Sequence, residues 1–241
     1  MRFLQKIFRR SKYTKLSVGF LFIHVAFIIK AMTDRQVLHN FIALEGIDGA
    51  GTTTLLNKIA AACSRAGIRC FPTCEPTQME TGKLIRKVLS GALSVHPETL
   101  ARMFVADRYE HVYGAGGVIT HLNNGELVIT DRYLFSSLAY QSVECGYDEV
   151  SALNLIFPLP EILVYIDIPV DVGDQRASGR KNREIFENRE FQARVCRMYE
   201  KSLGEYSRFD IDILRIDGTK SEQQVFEKVW SRIEGLPIEK M

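Results

Sequence analysis

The chain has 241 residues, 46% of them apolar and 25% charged, with a formal net charge of +2. That length supports one α/β domain with a full core, and so small a charge gives no push toward nucleic acid. The five cysteines, Cys63, Cys70, Cys74, Cys145 and Cys196, form no C-x-x-C pair, which argues against a zinc site or a disulfide framework and suits free thiols in a reducing cytoplasm.

At the N-terminus, Arg2, Lys6, Arg9, Arg10, Lys12 and Lys15 precede an apolar run from Val18 to Ile29, broken by His24. The run has the look of a signal peptide or short anchor. It falls short of the ~20 residues needed to span a bilayer, and no small-residue cleavage site follows. The expectation is that translation starts at Met32, that the basic and apolar extension over residues 1–31 is a start-site artefact, and that a single domain spans 32–241. A membrane-associating extension is the alternative.

The first predicted strand, Phe41–Glu45, runs into Gly46-Ile47-Asp48-Gly49-Ala50-Gly51-Thr52-Thr53 and then a helical stretch, Leu55–Ala66. This is the layout of a phosphate-binding P-loop, G-x-x-x-x-G-K-[ST]. Gly46 and Gly51 are in place, and Thr53 stands where a hydroxyl holds Mg²⁺. Thr52 stands where the lysine belongs. Backbone N–H groups and a helix N-terminus attract anions without that lysine, so the loop alone leaves phosphate binding and a plain strand–helix turn both open.

Four more short apolar runs read as strands: Arg69–Thr73, Leu127–Asp131, Ile162–Asp167 and Ile213–Asp217. Continuous rather than alternating apolar character fits strands buried on both faces. Helices are expected over Gly82–Ser90, Pro97–Leu122, Phe135–Val143, Val172–Gly179, Glu190–Tyr206 and Ser221–Ile233. Alternation of the two implies an α/β fold, a doubly wound five-stranded parallel sheet flanked by helices, of the P-loop NTPase type. Ligands in such a sheet gather at the strands' carboxyl ends, where Glu45, Asp131 and Asp167 lie.

Several segments offer chemistry at that edge. Glu75-Pro76 follows the second strand. Phe104 and Arg108, at i and i+4, share a helix face and suit a planar base as well as they suit a core phenylalanine beside a solvated arginine. Asp131-Arg132 ends a buried strand, where charge is costly unless it meets a ligand or a partner. Ser136, Ser137, Tyr140 and Gln141 follow on the next helix. Arg176-Ala-Ser-Gly-Arg180-Lys181-Asn-Arg183 is basic and lies where a lid over phosphates would sit.

Together these segments resemble thymidylate kinase, a P-loop nucleoside monophosphate kinase, from about Phe41 onward. The most specific match is Asp131-Arg-Tyr-x-x-Ser136-Ser-x-Ala-Tyr140-Gln141. Phe104-x-x-Asp107-Arg108 is similar to the family's thymine-facing helix, Glu75-Pro76 to its second-strand loop, Arg176 to Glu187 to its lid, and Ile216-Asp-Gly-Thr219 to its adenine-facing loop. The resemblance implies transfer of phosphoryl from MgATP to dTMP, a homodimer, and no membrane or nucleic-acid partner. It implies that Phe104 stacks on thymine, Arg108 bonds the base, Tyr140 crowds the 2′ position, and Glu75, Ser137 and Gln141 line the acceptor pocket. Arg132 would touch the transferring phosphoryl, and Asp48 would face the acceptor and its magnesium shell. With Gly at position 49 and Arg176 and Arg180 in the lid, the chain is similar to members whose lid supplies the catalytic arginines. Thr52 departs from the family, as does Cys74, where many members have arginine. The alternatives are a related deoxynucleoside or nucleoside monophosphate kinase, or a nucleotide-binding homologue of weak catalysis.

Overall fold

In the computed structural model the chain divides into two compact units, Met1–Arg35 and Gln36–Met241. Residues 35–177 and 189–238 are described here. The extension expected over 1–31 and the lid residues Arg180, Lys181 and Arg183 lie outside the described residues.

The second unit is built on five parallel strands: β1 (Val37–Gly46), β2 (Cys70–Cys74), β3 (Leu127–Asp131), β4 (Leu159–Asp167) and β5 (Asp212–Asp217), in the order β2-β3-β1-β4-β5. The central strands are the apolar ones. Phe41, Ile42, Ala43 and Leu44 of β1 are fully buried, as are Leu127, Val128 and Ile129 of β3. The edge strands β2 and β5 are only partly buried, since each has a neighbour on one side alone. The chain leaves β1 for β2 on one side and later returns to place β4 on the other. β1 is therefore where strand order reverses, and a crevice opens there at the carboxyl ends.

The helices are α1 (Thr52–Ala66), α2 (Glu80–Leu89), α3 (Pro97–Tyr113), α4 (Val118–Asn123), α5 (Leu134–Tyr140), α6 (Ser142–Cys145), α7 (Tyr147–Asn154), α8 (Val170–Ala177), α9 (Arg189–Tyr206) and α10 (Glu222–Ile233). Local chemistry sets their ends. Pro97 opens α3, where its missing N–H costs nothing. Ser221 and Gln224 form a reciprocal capping box at the start of α10. Gly67, at φ 69°, closes α1. The single helix expected over Pro97–Leu122 is in fact two. Gly114-Ala-Gly-Gly117 interrupts it, with Gly116 in the left-handed region at φ 74°, because glycine weakens a helix interior. The stretch Phe135–Val143 is likewise divided between α5 and α6, and α7 had no counterpart among the expected helices. Among the described residues no helix is long and apolar enough to cross a membrane.

Candidate active site

The turn after β1 wraps closely because it is rich in glycine. Gly51 precedes α1 at φ 95°, a conformation that side chains resist. A Cβ on Gly49 would lie 2.5 Å from the carbonyl oxygen of Gly173, so α8 packs against the loop's backbone. The first turn of α1 then aims its unpaired N–H groups into the crevice. Thr52 is buried there.

A cavity of about 240 Å³ opens above this loop. Of the residues expected at the site, it is lined by Asp48, Gly49, Ala50, Gly51, Thr52 and Thr53 on the loop side, and by Glu75, Phe104, Arg108, Arg132, Tyr140 and Gln141 on the other. Gly46 and Ile47 lie beneath the loop and offer carbonyls to Arg132. Arg176 lines a second cavity, where Gly49–Gly51 and Thr54 face Gly218, Lys220 and Val225. This second cavity contains Gly218 of the loop that resembles an adenine-facing segment. Ser137 does not line the first cavity. It is buried behind Arg108, and Ser136 takes the wall position instead. Adjacent residues on a helix point about 100° apart, and the rotation of α5 turns Ser136 to the crevice and Ser137 to Arg108.

Arg132 sits in the left-handed region at φ 74°, unusual for a residue with a side chain. Its guanidinium donates to the Gly46 carbonyl, to Ile47 O at 3.4 Å, to Asp48 Oδ1 at 3.4 Å and to Tyr199 Oη at 3.1 Å. Asp48 also accepts from Tyr140 Oη at 2.9 Å and Gln192 Nε2 at 2.7 Å. Burial, then the Asp48 charge, hold the Tyr140 phenol well above its ordinary pKa, so it stays a donor. Thr53 Oγ1 donates to Asp131 Oδ2 at 2.5 Å, and Asp131 Oδ1 is buried with no hydrogen-bond partner.

The acceptor side rests on a buried polar ladder. Arg108 donates through Nε to Glu75 Oε2 at 2.9 Å, through Nη1 to Asn154 Oδ1 at 2.5 Å and through Nη2 to Ser137 Oγ at 3.0 Å. His111 Nδ1 meets the other Glu75 oxygen at 2.9 Å, and its Nε2 meets Thr73 Oγ1 at 2.8 Å. Glu75 thus faces Arg108 and His111 with both oxygens. Asp107, fully buried, accepts from Thr77 N, Thr77 Oγ1 and Thr81 Oγ1 at 2.6–2.7 Å, which fixes the Glu75-Pro76 loop. Arg86 donates to the carbonyls of Pro76 and Thr77 and reaches toward Cys74 Sγ, 4.0 Å away.

Sequence reasoning missed Glu45, Asp107, His111, Gln192 and Tyr199. Asp107 lay inside the Phe104-x-x-Asp-Arg motif, and Glu45 ended a predicted strand, so both had a signal. Gln192 and Tyr199 had none, since their partners are distant in the chain.

The thymidylate kinase family model matches residues 44–229. The chain is 36% identical over 197 residues to a protein of Treponema pallidum (strain Nichols) that carries the same family name, covering 80% of this chain and 94% of that protein. It is 34% identical over 204 residues to the thymidylate kinase of Carboxydothermus hydrogenoformans, covering 81% and 97%. It is 33% identical over 192 residues to that of Leptospira interrogans serovar copenhageni, covering 78% and 90%.

Proposed function

The chain belongs to the thymidylate kinase family, and from that premise we propose how its own residues carry the reaction ATP + dTMP → ADP + dTDP. An oxygen of the dTMP phosphate forms a bond to the γ-phosphorus of ATP as the bond to the β–γ bridging oxygen breaks. Such a transfer asks the protein mainly for alignment and positive charge. The observation that carries the reading is one cavity walled by the P-loop on one side and by Phe104, Arg108 and Tyr140 on the other.

In this reading the P-loop N–H groups and the cavity beside Arg176 hold ATP, with the Gly218 loop toward the adenine. Phe104 stacks on thymine. Arg108, fixed by Glu75, Asn154 and Ser137, has a further Nη1 hydrogen to offer the base. Tyr140, held by Asp48, crowds the 2′ carbon of the sugar, and Gln141 closes the pocket beside it. Arg132 reaches the transferring phosphoryl. Arg180, from the lid segment, is assigned to the same group with Arg176.

Mg²⁺ fits the residues present. The unpartnered Asp131 Oδ1 stands beside the Thr53 hydroxyl, a hard oxygen pair of the kind Mg²⁺ takes along with waters and phosphates. When bound there it would neutralise charge on the β- and γ-phosphates. Among the described residues no cluster of three or more His, Cys, Asp or Glu competes as a metal site.

The deciding experiment is a coupled ADP-release assay over dTMP, dUMP, dCMP and thymidine. dTMP should give the highest kcat/KM. A preference for thymidine would make the chain a nucleoside kinase instead, and no turnover with any of them would leave only nucleotide binding. By resemblance the protein is assigned as a homodimer, which sedimentation equilibrium checks directly.

A further inference from the structure

Glu45 has no part in the reaction as just described, yet it is the most conspicuous buried charge beneath it. It is the last residue of β1 before Gly46, it lies in the middle of the sheet, and it is fully inaccessible. A carboxylate in such a place is retained only if donors surround it. Oε1 accepts from Tyr133 N at 2.9 Å and Ser136 N at 3.1 Å. Oε2 accepts from Ser136 Oγ at 2.6 Å and Tyr199 Oη at 2.9 Å.

These donors connect it to Arg132. The Tyr199 oxygen that donates to Glu45 accepts from Arg132 Nη1 at 3.1 Å. The backbone N–H of Tyr133, which directly follows Arg132, is pinned to the same carboxylate. Arg132 is thus gripped from both ends while its backbone is in the left-handed region, a conformation that persists only when its surroundings over-determine it. We infer that Glu45 is a positioning residue for phosphoryl transfer, holding Arg132 in its reactive geometry through Tyr199 and the backbone of the Arg132–Ser136 turn. The inference rests on the kinase reading above.

The grip depends on all four acceptor positions. A carboxamide replaces one acceptor oxygen with a donor nitrogen, and a carboxylic acid puts a donating proton on one of the oxygens. That donor would face Ser136 Oγ–H and Tyr199 Oη–H, which must then turn away, and the relay to Arg132 is broken. Burial raises the Glu45 pKa to about 7, opposed in part by Arg132 and the hydrogen bonds. Of the other groups around it, Tyr199 on α9 and Tyr165, its register partner on β4, have phenol pKa values pushed up by burial. Neither phenol ionises near neutrality. Asp48 and Asp131 lie on the Arg132 side of the relay. Acid therefore disables the relay by protonating Glu45.

The test is steady-state kinetics with dTMP and saturating ATP from about pH 5.5 to 9, on wild type, Glu45→Gln and Tyr199→Phe, each as the full chain. At pH 8, Glu45→Gln is expected to lower kcat by about 10–100-fold while the dTMP KM stays within about threefold. Wild-type kcat should show an acid limb near pH 7 that Glu45→Gln lacks. The dTMP phosphate titrates near pH ~6 in every variant, so the difference between profiles is the readout. Tyr199→Phe should lower kcat by at least about tenfold, and the double variant should be no worse than about twice the poorer single one. A Glu45→Gln enzyme within about threefold of wild type, one that keeps the acid limb, or losses that multiply in the double variant would each overturn the inference. Should Glu45→Gln fail to fold, Tyr199→Phe at wild-type kcat would overturn it equally. A wild type without dTMP kinase activity overturns the proposed function and this inference together, whereas an active wild type indifferent to both substitutions overturns this inference alone.

Discussion

Replacing Arg108 with methionine should be among the most damaging single changes available to this protein, and its cost can be worked from the contacts. The Arg108 and Glu75 side chains are 1% and 2% exposed and 2.7 Å apart. Removing one member of such a pair leaves the other charge buried, here with only His111 still facing Glu75, and typically costs about 3–5 kcal/mol. Asn154 and Ser137 lose a partner as well, adding about 1 kcal/mol each. A total near 5 kcal/mol is a third or more of a typical domain's stability of about 5–15 kcal/mol, and at this size corresponds to a fall in Tm of roughly 10–20 °C. Replacing both residues, Glu75→Leu with Arg108→Met, removes the stranded carboxylate. The double variant should therefore lose clearly less than the sum of the single ones, with a coupling of about 3 kcal/mol. Urea unfolding at pH 7.5, followed by circular dichroism with matched m-values, measures all three. An Arg108→Met loss below about 1.5 kcal/mol, or strict additivity in the double variant, would refute the claim that this pair is a buried, mutually dependent unit.

Phe104→Ala should weaken dTMP binding by about 1–3 kcal/mol through lost stacking and leave ATP affinity nearly unchanged; calorimetry with each nucleotide distinguishes this from a general collapse of the site. Thr52→Lys should change kcat by less than about tenfold if the lid arginines already supply the missing charge, whereas a gain near ~10³ in the coupled assay would mean they do not. Glu45 binds its proton more tightly folded than unfolded, since its pKa rises from 4.5 to about 7. It therefore favours folding fully below pH ~4.5 and loses that contribution, of order 3 kcal/mol, as pH rises to ~7. Stability of Glu45→Gln measured by urea melts should lack that downward slope. Gly49→Ala should lose roughly 1–3 kcal/mol in thermal unfolding, because its φ is 80° and its Cβ would meet Gly173 O at 2.5 Å. Gly204→Ala, within α9 and open on every side, should gain about 0.5–1 kcal/mol.

The central strands were readable because each carries a continuous apolar run, and a strand buried on both faces needs nothing else to announce itself. The observed β3 has the predicted bounds, and β1 reaches back to Val37 through residues too exposed to stand out. The phosphate loop and the Asp131–Gln141 segment were readable because their chemistry is packed into a few adjacent residues. What could not be read is what the fold alone brings together. Gln192 lies 144 residues from the Asp48 it bonds, and Tyr199 lies 154 from Glu45. Each sits on an amphipathic helix where a polar residue would normally face solvent. Choosing between Ser136 and Ser137 required the rotation of α5 about its axis, which spacing does not supply. The left-handed backbone of Arg132 was hidden for a related reason. No residue type signals it, and the contacts that accompany it, from the guanidinium to Gly46, Asp48 and Tyr199, come from distant parts of the chain.

These contacts also bear on how a phosphate site can do without its P-loop lysine. Arg108 is balanced by Glu75 and Arg132 by Asp48, so neither guanidinium brings uncompensated charge to the cavity. Both are instead precisely held, and a held cation stabilises a developing charge without reorganising when the charge appears. In the proposed mechanism, attraction for the triphosphate comes from elsewhere: the N–H groups at the start of α1, a divalent cation held by Asp131 and Thr53, and Arg176 of α8, which lines the neighbouring cavity. None of these depends on a side chain at position 52. An ammonium there would be mobile at the end of a flexible stem, whereas Thr52 is a short, buried side chain in the first turn of α1. In that mechanism the acceptor half is fixed by buried carboxylates, and the donor half takes its charge from the metal and from the arginines assigned to the lid. On that division the lysine is the one P-loop component whose function a lid can take over, because it alone acts through its charge and not through the path of the backbone.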